Sequence, residues 1–268
     1  MIISDKYRYI FIGLPFSAST AISKHLSEKY EGKPLLRKHS LYFEAKSQLS
    51  AKQKDYFVFA VIRNPMEIVA TTYEKLKQNP KNMFENKSLF KENGGHINKN
   101  QRKKYNYIKQ NKASFQDFFL KFYNKPYDNL ASLAVDDCNY VIRYENIIED
   151  YKNLLTLLKV KNIEPLPVQN KSSSKKKNLK DYYTKDIINR SVMVFGPFFK
   201  KHKYEFPNYF NNPKASRISL IWFNVISQLK KLKYTFSNKS FHKSSSQTIY
   251  GKIQREKTKR TFGKKLKL

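Results

Sequence analysis

The sequence predicts an α/β fold, a three-layer sandwich with a mainly parallel central sheet, followed by a basic C-terminal extension. Three observations predict it: a strand–turn–helix unit that recurs three times, an almost entirely apolar run from Phe57 to Ile62, and a change of composition near Pro207. A continuous apolar run is typical of a central strand that is covered on both faces. Parallel sheets of this kind bind ligands beyond the carboxyl ends of their strands.

The three units share one order. Apolar residues 7–13 predict the first strand, which is followed by a turn of small and hydroxyl residues and by a helix that runs towards Tyr30. The strand over 57–62 ends at Arg63, and Pro65 suits the first position of a helix over 66–76. A third strand over 139–143 precedes a helix over 147–158. Further helices are predicted over 114–123 and 184–195, and a possible strand over 34–37; residues 79–102 form a polar insert.

Length and composition favour one folded domain with an appendage. The chain has 268 residues, of which 40% are hydrophobic, and this is enough for a packed core. We place the domain at residues 1–206 and the extension at residues 207–268. The extension holds 15 Lys and Arg against one acidic residue, and we expect it to be partly helical or disordered.

The net charge of +32 raises the question of an anionic partner. Lys outnumbers Arg by 44 to 9, so we interpret the charge mainly as a bias that places Lys on solvated surfaces, and we expect no specific nucleic-acid partner. Within the extension, the stretch from Ile218 to Lys233 combines apolar residues with a basic end. It suits peripheral association with an anionic membrane surface, or equally a helix that packs on the domain and leaves its basic end in water.

The single cysteine, Cys138, cannot form a disulfide within the chain, so nothing in the sequence demands an oxidising compartment. The N-terminal residues do not resemble a signal peptide, and no apolar run approaches the length of a membrane-spanning helix. We therefore expect a cytoplasmic location, with possible attachment at the inner face of the membrane.

The first turn is suited to binding an oxyanion. Residues 14–20 place small and hydroxyl side chains where a helix begins, and the unsatisfied N–H groups and dipole of a helix N-terminus attract negative charge. The turn lacks the Gly-Lys-Ser/Thr ending of a Walker A loop, which argues against hydrolysis of nucleoside triphosphates with magnesium. A Ser-rich N-cap is the structural alternative.

The second turn adds a cation and a hydroxyl. Arg63 ends a buried strand and Thr71 follows eight residues later on the next helix, so that both are expected near the same edge of the sheet. A guanidinium group and a hydroxyl together suit a terminal phosphate. The alternative is an arginine that caps the strand end and a solvated threonine.

Together the two turns resemble the nucleotide signatures of the sulfotransferases that use 3′-phosphoadenosine 5′-phosphosulfate (PAPS). In that family a strand is followed by Pro-Lys-Ser/Thr-Gly/Ala-Ser/Thr-Thr, and a later strand by Arg-Asn/Asp-Pro with a serine eight residues after the arginine. A later Arg-Tyr-Glu-Asp segment is matched here by residues 143–146, and the resemblance spans roughly residues 7–206. The residues that match the two signatures are Pro15, Ser17, Ala18, Ser19, Thr20, Arg63, Asn64, Pro65 and Thr71.

The resemblance implies a fold like that of the P-loop nucleotide kinases, no metal, and transfer of a sulfuryl group from PAPS to a hydroxyl or amine. The acceptor is expected to be a glycan, a glycolipid or a small molecule. Residues 15–20 would hold the 5′-phosphosulfate, and Arg63 and Thr71 the 3′-phosphate. Asn170 and Lys171 fall where the family has a loop that closes over the nucleotide.

The departure from the family pattern concerns the catalytic cation. Phe16 occupies the position of the family's Lys or Arg, so another cation must stabilise the bridging oxygen, and Lys24 and Lys38 are the candidates. His39 is the expected base for the acceptor's proton, because an ordinary imidazole pKa near 6.5 suits that role. Glu44 and His96 are alternative bases.

Two other functional classes stay open from the sequence. The loss of the family's cation at Phe16 also fits a catalytically inactive nucleotide fold that serves as a nucleic-acid- or membrane-surface-binding module. A phosphotransferase is the third possibility.

Overall fold

The structure is a computed structural model that describes residues 1–36, 38–167 and 178–247, with side chains described up to Tyr234. The chain folds as an α/β protein, as predicted. The strands are β1 Ile2–Ser4, β2 Tyr9–Ile12, β3 Lys33–Pro34, β4 Phe57–Ile62 and β5 Tyr140–Arg143. The α-helices are α1 Ser19–Lys29, α2 Tyr42–Ala45, α3 Ala51–Lys54, α4 Pro65–Gln78, α5 Lys99–Gln110, α6 Phe115–Phe122, α7 Ala131–Ala134, α8 Ile147–Leu157, α9 Leu179–Tyr182, α10 Ile188–His202 and α11 Arg217–Gln247.

The five strands form one mixed sheet in the order β3-β1-β2-β4-β5. β2, β4 and β5 pair in parallel, as predicted, whereas β1 is antiparallel to both β2 and β3. The prediction of a mainly parallel sheet therefore holds for β2, β4 and β5. It does not hold for the edge formed by β1 and β3. The difference arises because β1 is too short to show a periodic pattern, and the turn after Ser4 folds it back on β2.

Described residues fall into two compact units. The first contains 1–69, 125–167 and 192–227, and the second contains 70–124, 178–191 and 228–247. The predicted boundary at Pro207 is not tested by this division and stays a prediction. Across the described residues, no helix combines the length and the apolar character needed to cross a membrane.

The first unit buries both faces of the central strands of its sheet. Alternate residues of β2, β4 and β5, including Phe11, Phe59 and Ile142, pack with apolar residues of α1 and α8. The rings of Phe11 and Phe59 stack with their centroids 5.1 Å apart. Residues of the opposite face, such as Ile10 and Ala60, are also fully buried. Burial of both faces explains why β2 and β4 are apolar along their whole length.

The second unit is held together by aromatic side chains. The ring of Phe115, on α6, lies 5.0 Å from those of Tyr182 and Tyr183. Its neighbour Gln116 donates a hydrogen bond of 3.0 Å from Nε2 to the carbonyl of Tyr182. α6 starts where Ser114 accepts from the N–H of Asp117, a side-chain cap of the kind that satisfies the free donors of a first helical turn.

A buried histidine in the first unit makes stability depend on pH. His202 ends α10 and its ring lies 4.3 Å from that of Phe198, while Nε2 lies 3.5 Å from the Ser132 hydroxyl. Burial, aided by the nearby Lys201 charge, lowers the pKa of His202 to about 4. The unfolded chain takes up this proton near its ordinary pKa and the folded chain does not, so stability is lost as the pH falls from about 6.5 to about 4.

We expect the free energy of unfolding to fall by about 2 kcal/mol between pH 7 and pH 5 from this group. Urea denaturation at the two pH values measures the change. The His202→Phe variant keeps a buried ring without a titrating proton. Its free energy of unfolding should therefore fall by about 2 kcal/mol less than that of the wild type between pH 7 and pH 5. An unchanged pH dependence in the variant would contradict the assignment.

Candidate functional site

The candidate site lies in the first unit, at the carboxyl ends of the parallel strands. In the register of the sheet Ile12 pairs with Ala60, and Ile62 pairs with Arg143. The segments that follow β2, β4 and β5 therefore leave the sheet at the same edge. This is the edge at which parallel sheets bind ligands.

The turn between β2 and α1 contains two non-glycine residues with positive φ values. Phe16 and Ala18 have positive φ values of 63° and 52°, whereas Ser17 between them does not. Alternation of this kind turns successive N–H groups towards one concave surface, which binds anions. α1 begins at Ser19 without an acidic residue in its first turn and without a side-chain cap from Ala18. The N-terminal dipole of α1 therefore adds positive potential to the same turn.

The hydroxyl groups of this turn have different roles. Ser17 is buried and donates a hydrogen bond of 2.7 Å from Oγ to the carbonyl of Leu14, so its hydroxyl proton closes the turn. Thr20 is exposed, and its Oγ1 accepts a hydrogen bond of 2.5 Å from Nζ of Lys38. Lys38 is thus brought to the start of α1.

Gly13 allows the segment of Lys38 and His39 to approach. A Cβ atom at Gly13 would lie 2.9 Å from the carbonyl oxygen of Lys38, closer than real Cβ atoms come, and 3.2 Å from Cβ of Ser19, which is a tight contact. Nδ1 of His39 lies 2.6 Å from the carbonyl oxygen of Gly13. A carbonyl can only accept, so Nδ1 carries the proton and Nε2 carries the lone pair of the neutral ring.

The environment of Lys38 favours a bound anion. Although the residue is exposed as a whole, partial burial of its ammonium group lowers the pKa of Lys38. A cation that has lost part of its hydration gains from a negative charge beside it. An oxyanion at the turn would provide that charge.

Arg63 follows β4 and lies against the same turn. NH1 of Arg63 donates to the carbonyl of Phe16 at 3.5 Å, and NH2 lies 3.5 Å from a carboxylate oxygen of Glu67. Its guanidinium carbon lies 4.4 Å from the ring centroid of Tyr144, a cation–π contact. The first of these contacts joins the turns after β2 and β4.

The segment after β5 contacts the turn that carries Arg63. Glu145 accepts a hydrogen bond of 2.7 Å from the N–H of Asn64 and one of 3.2 Å from the hydroxyl of Tyr204. Arg143 donates to the carbonyls of His202 and Lys203 at 2.8 and 3.0 Å, which satisfies acceptors at the end of α10. The Arg-Tyr-Glu-Asn segment therefore fixes the turn that carries Arg63.

The structure brings together only some of the predicted site residues. Residues 15–20, Lys38, His39 and Arg63 lie around the turn described above. Lys24 is exposed on α1, one helical turn beyond Thr20. Asn170 and Lys171 lie outside the described residues.

The remaining predicted residues lie in other surroundings. Thr71 is buried on α4 and belongs to the second unit, so its pairing with Arg63 stays a prediction. Glu44 accepts a hydrogen bond of 2.6 Å from the N–H of Leu41 and thereby caps the short helix α2. His96 belongs to the second unit, and burial, with a smaller effect of Lys75, lowers its pKa.

The sequence did not indicate the contacts that position Lys38, His39 and Arg63. Glu67 follows Arg63 by four residues, a spacing that brings two side chains together on a helix and could have indicated the ion pair. Gly13, at the end of a strand, is a position where close backbone approach is common. The contact of Tyr144 with Arg63 depends on the pairing of β4 with β5 and has no local signal.

A cavity of about 970 Å³ lies at the opposite edge of the sheet. It is lined in part by Phe57 and Asn139, where β4 and β5 begin, and by Lys29, which forms an ion pair of 2.9 Å with Glu164. Because it faces the amino ends of the parallel strands, it is separate from the candidate site. Among the described residues, no three His, Cys, Asp or Glu side chains are grouped to hold a metal ion.

No known family model, curated protein or solved structure matches the chain.

The contact with Thr20 predicts that Lys38, and not Lys24, supplies the cation of the turn. We expect Lys38→Met to weaken the binding of pyrophosphate about tenfold, because one charge-assisted hydrogen bond is lost. Lys24→Met removes the same charge one turn further along α1 and should change the affinity less than about twofold. Calorimetric titration of both variants measures this; equal losses in both would contradict the assignment.

Proposed function

We propose that this protein is a sulfotransferase that uses PAPS as its donor, built on a three-layer sandwich like that of the P-loop nucleotide kinases. The observation that carries the proposal is the convergence of Lys38 and Arg63 on the turn between β2 and α1. A donor with a phosphosulfate group and a separate phosphate requires two cationic sites beside a set of N–H donors. The turn and its two cations supply these groups.

The residues present fit the donor without a metal. The N–H groups of residues 16–20 would hold the 5′-phosphosulfate, with Lys38 placed to stabilise charge on the bridging oxygen in place of the cation missing at Phe16. Arg63 would hold the 3′-phosphate. PAPS, when bound, supplies the sulfuryl group that is transferred.

Arg63 has to change partners to bind a phosphate. Its NH2 lies 3.5 Å from the Glu67 carboxylate, which is longer than the usual 2.7–2.9 Å of a charge-assisted hydrogen bond. A phosphate oxygen that binds at the shorter distance would compete favourably with this contact when the rest of the nucleotide is held by the turn between β2 and α1. The cation–π contact with Tyr144, at 4.4 Å, involves the ring face and leaves the N–H groups of the guanidinium available for this exchange.

His39 is the residue proposed to accept the proton of the acceptor hydroxyl or amine. The Gly13 carbonyl holds the proton on Nδ1, and the lone pair of the neutral ring is therefore on Nε2. For the acceptor, a chain of net charge +32 favours anionic molecules, and we propose a glycan or glycolipid ahead of a small neutral molecule.

Binding of the product nucleotide tests the donor. We expect the wild-type chain to bind 3′,5′-adenosine bisphosphate without magnesium, more tightly than 5′-AMP, and Arg63→Ala to lose about 10- to 100-fold in affinity. Isothermal titration calorimetry measures all three. Arg102→Ala is the matched control, because Arg102 is also ion-paired, with Glu92 at 2.6 Å, and lies 4.0 Å over the ring of Phe90.

Several results would contradict the proposal. They are no binding of 3′,5′-adenosine bisphosphate, equal affinities for this nucleotide and for 5′-AMP, and equal losses of affinity in Arg63→Ala and Arg102→Ala. Tight binding of ATP with magnesium would favour a phosphotransferase. Salt-sensitive binding of DNA without any nucleotide binding would favour the inactive binding module.

The role of His39 is tested separately from donor binding. We expect His39→Ala to bind 3′,5′-adenosine bisphosphate within about threefold of wild type, but to lower turnover by about 10²- to 10⁴-fold, the usual contribution of a general base. The measurement is release of the nucleotide from PAPS in the presence of oligosaccharides and phenols. His96→Ala is the control and should keep wild-type turnover; a loss there with none at His39 would move the base to His96.

A further inference from the structure

The first part of helix α11, residues 217–227, belongs to the first unit and has one of its faces buried. Phe223 and Ser219 lie on this face and are buried. Ser227, one turn beyond Phe223, donates from its hydroxyl to a carboxylate oxygen of Asp128 at 3.2 Å. The helix begins where Ser216 accepts from the N–H of Ser219. The side of α11 that contains these residues therefore has its partner within the protein.

Another face of α11 is apolar but exposed. Ile218, Ile221, Trp222 and Val225 are 70%, 63%, 56% and 51% exposed, and we call these four residues the α11 apolar face. Their spacing of three and four residues places them side by side on the helix. Single exposed apolar residues are common, but four adjacent large ones are typical of a surface that binds a membrane or another protein.

The charges around the α11 apolar face have one sign. Lys214 and Arg217 precede it, Lys233 follows it, and no acidic residue occurs between Glu205 and Glu256. A second copy of the chain would bring the same basic segment against itself, because a twofold interface uses the same patch on both partners. An anionic surface would instead be attracted to it.

We propose that the α11 apolar face binds peripherally to an anionic lipid bilayer, with its apolar side chains in the interface and the flanking Lys and Arg at the headgroups. An amphipathic helix of this kind lies in the plane of the membrane and inserts its apolar side chains about 5–10 Å deep. The proposal goes beyond the sulfotransferase function and does not depend on nucleotide binding.

Trp222 provides a direct probe, because it is the only tryptophan in the chain and belongs to the proposed face. Its ring is exposed to water in the free protein, so its fluorescence should shift to shorter wavelength when it enters lipid. Binding can therefore be followed on the full-length protein without any label.

The experiment compares vesicles of phosphatidylcholine alone with vesicles that contain about one third phosphatidylglycerol. We expect the full chain to sediment with the anionic vesicles only, with a blue shift of Trp222, quenching by brominated lipid and weaker binding at high salt. Val225→Glu should weaken the binding about tenfold or more. Asn224→Glu is the matched control, because it adds the same charge to an exposed neighbour outside the apolar face, and it should weaken binding much less.

Three results would overturn the proposal. The first is no sedimentation with anionic vesicles. The second is binding that leaves the Trp222 fluorescence unshifted, or that Val225→Glu and Asn224→Glu weaken equally. The third is a wild-type dimer in solution that Val225→Glu converts to a monomer, since the face would then be a contact between copies. Circular dichroism of both variants establishes that α11 and the fold are retained, and Val225→Ser repeats the comparison without a new charge.

Discussion

The candidate site depends on the absence of a side chain at Gly13. Because no Cβ is present, the backbone of Lys38 lies against the end of β2, and three contacts follow: Lys38 with Thr20, His39 with the Gly13 carbonyl, and the packing of Gly13 beside Ser19. The cation and the imidazole are thus positioned by the backbone approach of a segment about 25 residues away. A Cβ atom at Gly13 would meet the Lys38 carbonyl, so the segment that carries both groups would have to shift.

A second group of contacts holds the turn that carries Arg63. Glu145 accepts from the Asn64 N–H and from Tyr204, and Arg143 joins the β5 end to the end of α10. The residues that resemble the Arg-Tyr-Glu-Asp segment of the sulfotransferases therefore act here on the backbone of the neighbouring turn. Their role is to position Arg63, and they need no contact with a ligand to affect its affinity for one.

The sequence predicted the elements with strong patterns and missed those without them. β4 has the predicted bounds, and α1, α4, α8 and β5 differ by one or two residues at their ends, because each combines an apolar run with clear turn residues. β1 has three residues, and α5 lies largely within polar sequence in which Tyr105 and Ile108 alone are buried, so neither shows a periodic signal. Lys38 was one of two candidate cations. Its contact with Thr20 could not be predicted, since it depends on how the backbone passes Gly13.

The ion pair between Arg63 and Glu67 has a consequence for selectivity. In a cell, small phosphate anions are abundant, and an arginine beside an N–H-rich turn would attract all of them. The Glu67 carboxylate lies 3.5 Å from NH2 of Arg63, so an anion that binds there has to compete with a negative charge already in place and gains from further interactions of its own. A molecule with two anionic groups at a fixed separation brings such interactions, whereas a single phosphate does not. The ion pair would thus favour ligands that carry two anionic groups over ligands that carry one.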